Sequence, residues 1–280
     1  MTSAARAATL RPSNASTPVT VAIPEDPAVR IVFTGRSLGA DGDANLSLIV
    51  GDGDAVVARQ AALKLLGVSL ERAVFMQQVH GGDVAAVDVA DAGRGGLVHA
   101  DAVPGVDALV TSARDLALAV LVADCVPVVL VDPGRAVGVA HAGRGGVVHD
   151  VVPAAAARLS DDVSRVVAVI GPAIGACCYE VPGELSDEVA ATNPAATATT
   201  SWGTPSLDLP GAVRAQLRAA GVARVEDAGG CTRCHAGMLF SHRAATEGIA
   251  PHGRQAGMVV RRSPDAAPPG GGLRSSLELA

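Results

Sequence analysis

Residues 116–146 read LALAVLVADCVPVVLVDPGRAVGVAHAGRGG, apolar runs folded about a turn, with Cys125 towards one end and His141 towards the other. Asp132-Pro133-Gly134-Arg135 supplies the turn: proline presets φ at the second position, and glycine accepts the positive φ that a type II turn requires at the third. The simplest reading is a β-hairpin. A turn centred between Pro133 and Gly134 sets Val126 opposite His141, whereas a register one residue away sets Cys125 itself opposite His141. In both registers the thiol and the imidazole meet at the open end of the hairpin, roughly 5 Å apart in backbone terms.

Around this stretch, 280 residues with 49% hydrophobic content supply a sizeable core, and only 2% aromatic residues mean that the core is built from Val, Ala and Leu. A formal charge of −6 argues against a general nucleic-acid binder, which needs concentrated positive charge. Five cysteines, two of them vicinal, and no charged-then-apolar leader argue against a disulfide-stapled secreted protein and for a reducing cytoplasm. The longest apolar stretch is broken by Asp124 and Pro127, so no membrane span is expected. Residues 1–27 and 263–280 read as mobile tails around a single domain spanning 28–262.

Within that domain, strands are expected at 28–34, 72–80, 84–89, 107–111, 163–171 and near 206, 225–228 and 258–261. Helices are expected at 54–66, capped by Asp52 or Asp54 and stopped by Gly67, at 147–159 with an interruption near Pro153, at 182–191, and before Gly221. Strands and helices alternate while the hairpin is antiparallel, which favours a mixed sheet over a doubly wound parallel one.

Three candidate ligands converge: His80 in QQVHGG, Cys125 in ADC and His141 in AHAG, each at a strand end beside small residues. Two imidazoles and a thiolate suit Zn²⁺, and three protein ligands leave a fourth position open to water or substrate. The alternative is a buried free cysteine beside two histidines satisfied by backbone carbonyls. Copper is a minor reading, because seven histidines without a His-x-His pair are few for a multicopper oxidase. Cys231-Thr232-Arg233-Cys234-His235 spells a c-type haem attachment motif without the export signal that such attachment needs; these residues read as reduced thiols, or as a structural zinc site with His235 or His242. Gly143-Arg144-Gly145-Gly146 could form a nest of N–H groups for an anion, with Arg144 adding charge.

QVHG (78–81), DALVT (107–111), ADCVPVVLVDP (123–133), AHAG (140–143), GPAIGACCYEV (171–181), LDL (207–209), CT (231–232), FSHR (240–243) and GRQAG (253–257) occur in the order of the YfiH family, also called the laccase-domain or DUF152 family. The chain resembles these multifunctional purine nucleoside phosphorylases over about residues 32–261. The resemblance implies a single-domain, mixed-sheet α/β sandwich of the CNF1/YfiH-like type and zinc held by His80, Cys125 and His141. It also implies phosphorolysis of adenosine, inosine, guanosine or methylthioadenosine to base and sugar 1-phosphate, together with adenosine deamination. Peptidoglycan editing and polyphenol oxidation are further roles attached to the family. A purine nucleoside and phosphate are then the partners, and a monomer is expected.

In this reading Glu180 and Asp124 are candidates for a proton-shuttling carboxylate and Arg144 for a catalytic cation, while Arg36, Gln78, Gly143 and Gly145 are candidates for binding substrate or phosphate. Two stretches depart from the family wording. Arg144-Gly145 stands where Trp-Arg is usual, and Gln60-Ala61 stands for the Asn-Arg pair of the first helix, with Arg59 nearby on another face. Arg36, Arg59 or Arg144 would have to compensate. The rival enzyme class is a cysteine hydrolase with Cys125 as nucleophile and His141 as base.

Overall fold

The structure is a computed structural model, and it describes residues 18–39, 43–264 and 276–277. In chain order the first half contains β1 (Val19–Val21), β2 (Val29–Phe33), α1 (Ala55–Leu66), β3 (Ala73–Val74), β4 (Val84–Ala86), β5 (Ala108–Thr111), β6 (Ala117–Val122), β7 (Val126–Asp132) and β8 (Ala136–Ala142). The second half contains α2 (Arg144–Val148), α3 (Val151–Leu159), β9 (Val167–Ile170), α4 (Gly183–Thr192), β10 (Thr197–Thr199), β11 (Pro205–Leu207), α5 (Leu209–Ala219), β12 (Arg224–Asp227), α6 (His242–Thr246), β13 (Gln255–Arg261) and β14 (Ser276–Leu277).

Two mixed six-stranded sheets pack face to face, one in the order β14-β1-β2-β13-β6-β3 and the other β12-β9-β7-β8-β5-β4, with β10 and β11 forming a separate ribbon. The side-chain alternation of each strand explains the layering. Leu118, Val120 and Val122 of β6 meet Val129 and Val131 of β7 and Val137 and Val139 of β8 between the sheets. The opposite faces carry smaller residues: Ala117 and Ala119 of β6 lie under Ala58, Ala62, Leu63 and Leu66 of α1, and Val128, Ala140 and Ala142 lie under α3 and α5. The result is a mixed-sheet α/β sandwich, helix over sheet over sheet over helix: the mixed sheets follow the alternation and the antiparallel hairpin, and the sandwich is the architecture that the family resemblance implied. Asp54 caps α1 through the N–H groups of Val56 and Val57, and Gly67 ends it at a φ of 74°.

The apolar run before the turn is not one strand. It divides at residues 123–125, so that β6 belongs to the first sheet and β7 to the second, and Asp124 takes a φ of 85° at the crossing. The hairpin is therefore β7 and β8, and its register differs from both readings of the sequence. Gly134 has a φ of 77°, Arg135 N–H closes on Asp132 O at 2.9 Å, and Asp132 pairs with Ala136 across a three-residue loop, 133–135. Pro127 then lies opposite His141. Cys125, one pleat further back, shares the face of His141 as its diagonal neighbour.

Further differences are local. His80 ends no strand: after β3 the chain is irregular, and His80 has a φ of 60°. The expected helix at 147–159 breaks at Asp150, whose φ is 53°, and not at Pro153; proline sits in the first turn of α3, where its missing N–H costs little. Val19–Val21, inside the stretch read as an N-terminal tail, pairs with β2, because three alternating residues suffice where a sheet edge receives them. Most of both tails, residues 1–17, 265–275 and 278–280, lies outside the described residues.

Leu118 is fully buried between the sheets, whereas Val57 on α1 is 58% exposed. Leu118→Ala is expected to lower unfolding free energy by about 2–5 kcal/mol, and Val57→Ala to leave it within about 0.5 kcal/mol, both measured by urea denaturation.

Candidate functional site

At one end of the inter-sheet layer, His80, Cys125 and His141 bring one donor atom each within 4.8 Å of one another. His80 Nε2 lies 3.8 Å from Cys125 Sγ. The two imidazoles stand edge to face with centroids 4.7 Å apart. His141 comes from the end of β8 and is buried, Cys125 follows the sheet crossing, and His80 is the exposed member.

The residue that assembles this group is Asp107, fully buried at the head of β5. Its carboxylate accepts from His141 Nδ1 at 2.7 Å and from the backbone N–H groups of Val79, His80 and Gly81 at 3.1, 3.0 and 2.7 Å. Its own carbonyl accepts the His141 N–H at 2.7 Å. One side chain thus fixes both histidines. With Nδ1 engaged, His141 presents Nε2 to the thiol, the arrangement that second-shell carboxylates give to metal-binding histidines. The left-handed backbone of His80, a conformation costing about 1–3 kcal/mol, is held by the same three N–H bonds.

The electrostatics follow from this packing. Burial pushes the Cys125 thiol up, but the charge on His141 and hydrogen bonds from His141 and His80 outweigh it and bring the thiol down to about 6. Burial opposes charge on His141, yet the Cys125 thiolate and Asp107 raise it to about 9. Asp107, despite its burial, is held below the ordinary carboxylate range by His141 and the backbone N–H groups of Gly81 and Val79. Without a metal, these surroundings favour the thiolate of Cys125 and the charged form of His141 together. Two nitrogens and a soft, readily ionised sulfur on rigid elements fit a Zn²⁺-like ion with one position left open.

Gly143 and Gly145 stand at the start of α2, packed against the donor group. A Cβ on Gly143 would stand 2.8 Å from His80 Cδ2 and 2.9 Å from Cys125 Sγ, and one on Gly145 would stand 2.4 Å from His80 O. These glycines let the start of α2 close against the donor group.

The donor group opens into a cavity of about 310 Å³ lined also by Gln78, Leu121, Arg59, Arg254 and His242. Arg59 is 2% exposed and lies on the buried face of α1. As expected from the sequence, this is another face than that of the exposed Gln60 and Ala61: the helix turns Arg59 inward under Phe75, whose ring centroid is 4.1 Å from the guanidinium carbon. Its guanidinium donates to Leu46 O, Gly95 O and Gly96 O, and burial lowers it to about 10. Burial also lowers Arg254, against the opposing charges of Cys125 and Asp124. Neither arginine pairs with a carboxylate among the described residues.

The other expected site residues stand as follows. Gln78 lines the cavity, but its amide is spent on Leu121, donating to the carbonyl at 2.7 Å and accepting the N–H at 2.9 Å. Asp124 has both carboxylate oxygens engaged, by the Thr232 hydroxyl at 2.5 Å and the Arg243 N–H at 2.7 Å, so it acts as a brace beside Cys125. Glu180 accepts from Trp202 Nε1 at 2.9 Å and does not line the cavity. Arg36 pairs with Asp43 at 2.8 Å and donates to Ala236 O, also outside the cavity. Arg144 is exposed at the start of α2, in the electrostatic neighbourhood of Tyr179. Asp107 and Arg254 are the residues that motif spacing missed. The available signal for Asp107 was an acid directly preceding the apolar run Ala108-Leu109-Val110, which can be buried there only with partners.

Fold and donor group together define an α/β sandwich with a candidate metal-holding cleft at one end. A family model described as "Multi-copper polyphenol oxidoreductase laccase" matches residues 30–262, and the chain belongs to that family. A purine nucleoside phosphorylase of Streptomyces coelicolor is 49% identical over 212 residues, 74% of this chain and 85% of that protein. The crystal structure of YlmD from Geobacillus stearothermophilus superposes with a TM-score of 0.75 at 35% identity, covering 86% of this chain and 94% of that one. An adenosine deaminase, RL5, from an unknown prokaryotic organism is 36% identical over 218 residues, 71% of this chain and 80% of that protein.

Because Asp107 sets the tautomer of His141 and the backbone of His80, Asp107→Asn is expected to weaken metal binding by the donor group roughly 10- to 100-fold in competition with a metal-responsive chelator. Asn can reproduce only part of the acceptor set, so circular dichroism should remain native-like while metal affinity falls.

Proposed function

We propose that this protein is a zinc-dependent purine nucleoside phosphorylase. The observation that carries the reading is the single cavity joining the His80, Cys125 and His141 donors to two arginines that lack carboxylate partners. A volume of about 310 Å³ is at the lower end of the roughly 300–1,000 Å³ range of small-molecule sites. The Streptomyces and Geobacillus relatives, named purine nucleoside phosphorylases, support the substrate class.

His80, Cys125 and His141 would hold the ion, which when bound supplies Lewis acidity at the open end of the donor group. Arg254 and Arg59 bind phosphate and orient it towards the anomeric carbon. A phosphate oxygen bonds to that carbon as the carbon–nitrogen bond to the purine breaks, and its electron pair passes to the base. No Asp or Glu lines the cavity among the described residues, so the proton for the departing base comes from an imidazole, His99 or His242, or from water. The apolar walls, Leu121, Val122 and Met76, hold the purine and exclude solvent.

Deamination of adenosine is the second activity, favoured by the likeness to RL5; the engaged oxygens of Asp124 and the position of Glu180 leave it without a cavity carboxylate. The cysteine hydrolase reading draws on the Asp107–His141 contact of 2.7 Å behind Cys125. Multicopper oxidation is less well supported, since the donor group offers only two imidazoles.

Chromatography of zinc-loaded protein with adenosine, with and without phosphate, decides among them. Adenine and ribose 1-phosphate formed only with phosphate are expected. Inosine alone would leave deamination, and phosphate-independent cleavage of a thioester or ester probe would favour the hydrolase. Arg254→Gln removes a charge-assisted contact of about 1.5–3 kcal/mol, so kcat/KM for phosphate should fall about ten- to hundredfold with little change in nucleoside KM.

A further inference from the structure

Four of the five cysteines lie in two loops distant in sequence. Cys177 and Cys178 follow β9, and Cys231 and Cys234 precede α6. Their four sulfurs all lie within 4.8 Å of one another. Cys234 Sγ is 3.4 Å from Cys178 Sγ and 3.7 Å from Cys177 Sγ, across 56 and 57 residues of chain. All four are free thiols. Four thiolates about 2.3 Å from a tetrahedral ion stand roughly 3.8 Å from each other, so the sulfurs already approach that spacing. A disulfide needs its sulfurs about 2.05 Å apart, well inside the 3.4 and 3.7 Å separations seen here.

We propose that Cys177, Cys178, Cys231 and Cys234 form a closed tetrathiolate site for a structural zinc ion, separate from the His80, Cys125 and His141 group. The surroundings suit a centre that carries two negative charges once four thiolates hold a divalent ion. The Gly175 and Cys234 backbone N–H groups are directed at Cys231 Sγ. Arg233 Nη1 lies 3.8 Å from Cys178 Sγ, and the same guanidinium is held 2.7 Å from Glu247. Gly175 is in close contact with the cluster, since a Cβ there would stand 3.3 Å from both Cys177 Sγ and Cys231 Cβ. The two histidines that the sequence offered as partners are placed elsewhere. His235 Nδ1 donates to Cys231 O at 2.8 Å, and His242 lines the cavity of the other site. Four chain ligands leave no open position, which marks a structural and not a catalytic ion.

The two loops joined in this way also brace the other site. Thr232, between the paired cysteines, donates to Asp124 Oδ1, and Ile174, in the first loop, donates its N–H to Asp124 O at 2.8 Å. Asp124 holds its φ of 85° immediately before Cys125. The ion therefore fixes the crossing that delivers one donor of the catalytic group. Binding releases the protons of the thiols that ionise.

The test is metal analysis of the full chain produced with added zinc, by native mass spectrometry. Two zinc ions per chain are expected, falling to one in His80→Ala/His141→Ala and to one in Cys177→Ser/Cys234→Ser. In the histidine variant, zinc-edge X-ray absorption should show an all-sulfur shell at about 2.3 Å. That variant keeps all four cysteines, so it decides the matter even if the cysteine variant fails to fold, and it does so whatever substrate the other site takes. A histidine variant free of metal, a shell containing nitrogen or oxygen, iron in place of zinc, or a Cys178–Cys234 disulfide in protein trapped under anaerobic conditions would each overturn the proposal.

Discussion

The Asp107 carboxylate is the interaction on which the site depends. A fully buried acid is costly unless its oxygens are filled, and here four donors fill them: three consecutive N–H groups of 79–81 and the imidazole of His141. Burial and function are the same constraint at this residue. The acid is tolerated because it binds the loop and the ring, and the loop keeps a left-handed histidine because the acid binds it.

The sandwich delivers these parts to one place. With few aromatic side chains, both sheets bury both faces under Val, Ala and Leu, and the strands pack closely enough to fix their ends. Cys125 lies where the chain passes from one sheet to the other, His141 at the end of the paired strand, and Asp107 at the head of β5, hydrogen-bonded alongside it. Gly143 completes the arrangement by having no side chain: its Cα comes so near His80 and Cys125 that a methyl would displace one of them. The Arg144-Gly145 departure from the usual family wording thus falls in a segment whose task here is close packing.

Much of this was legible in the chain, and what was not has a physical reason. The turn at Pro133-Gly134, the caps of α1 and the alternation of the hairpin are local signals, and they led to the mixed sheet and to the convergence of Cys125 with His141, while the sandwich came from the ordered family motifs. The register was missed by one step because Arg135 joins the loop, a choice made by strand pairing and not by the turn residues alone. The division of the run at Asp124 was hidden because strands of different sheets carry the same apolar alternation. Arg59 lies on another face than Gln60-Ala61 as expected, but its partners, three backbone carbonyls and the Phe75 ring, are distant in sequence and could not be read from the helix alone. The cysteine cluster was invisible for the same reason: spacing shows Cys231 and Cys234 as a pair but says nothing of loops more than fifty residues apart.

The central claim is that His80, Cys125 and His141 hold a metal ion at one end of a cavity whose arginines hold phosphate. Anomalous diffraction at the zinc edge from crystals soaked in zinc and phosphate tests it most directly. The account requires an anomalous peak about 2.0–2.3 Å from one nitrogen of each imidazole and from Cys125 Sγ, with a tetrahedral anion contacting Arg254 and Arg59. Crystals that hold zinc elsewhere but none among these three donors, with phosphate absent from the two guanidinium groups, would contradict it.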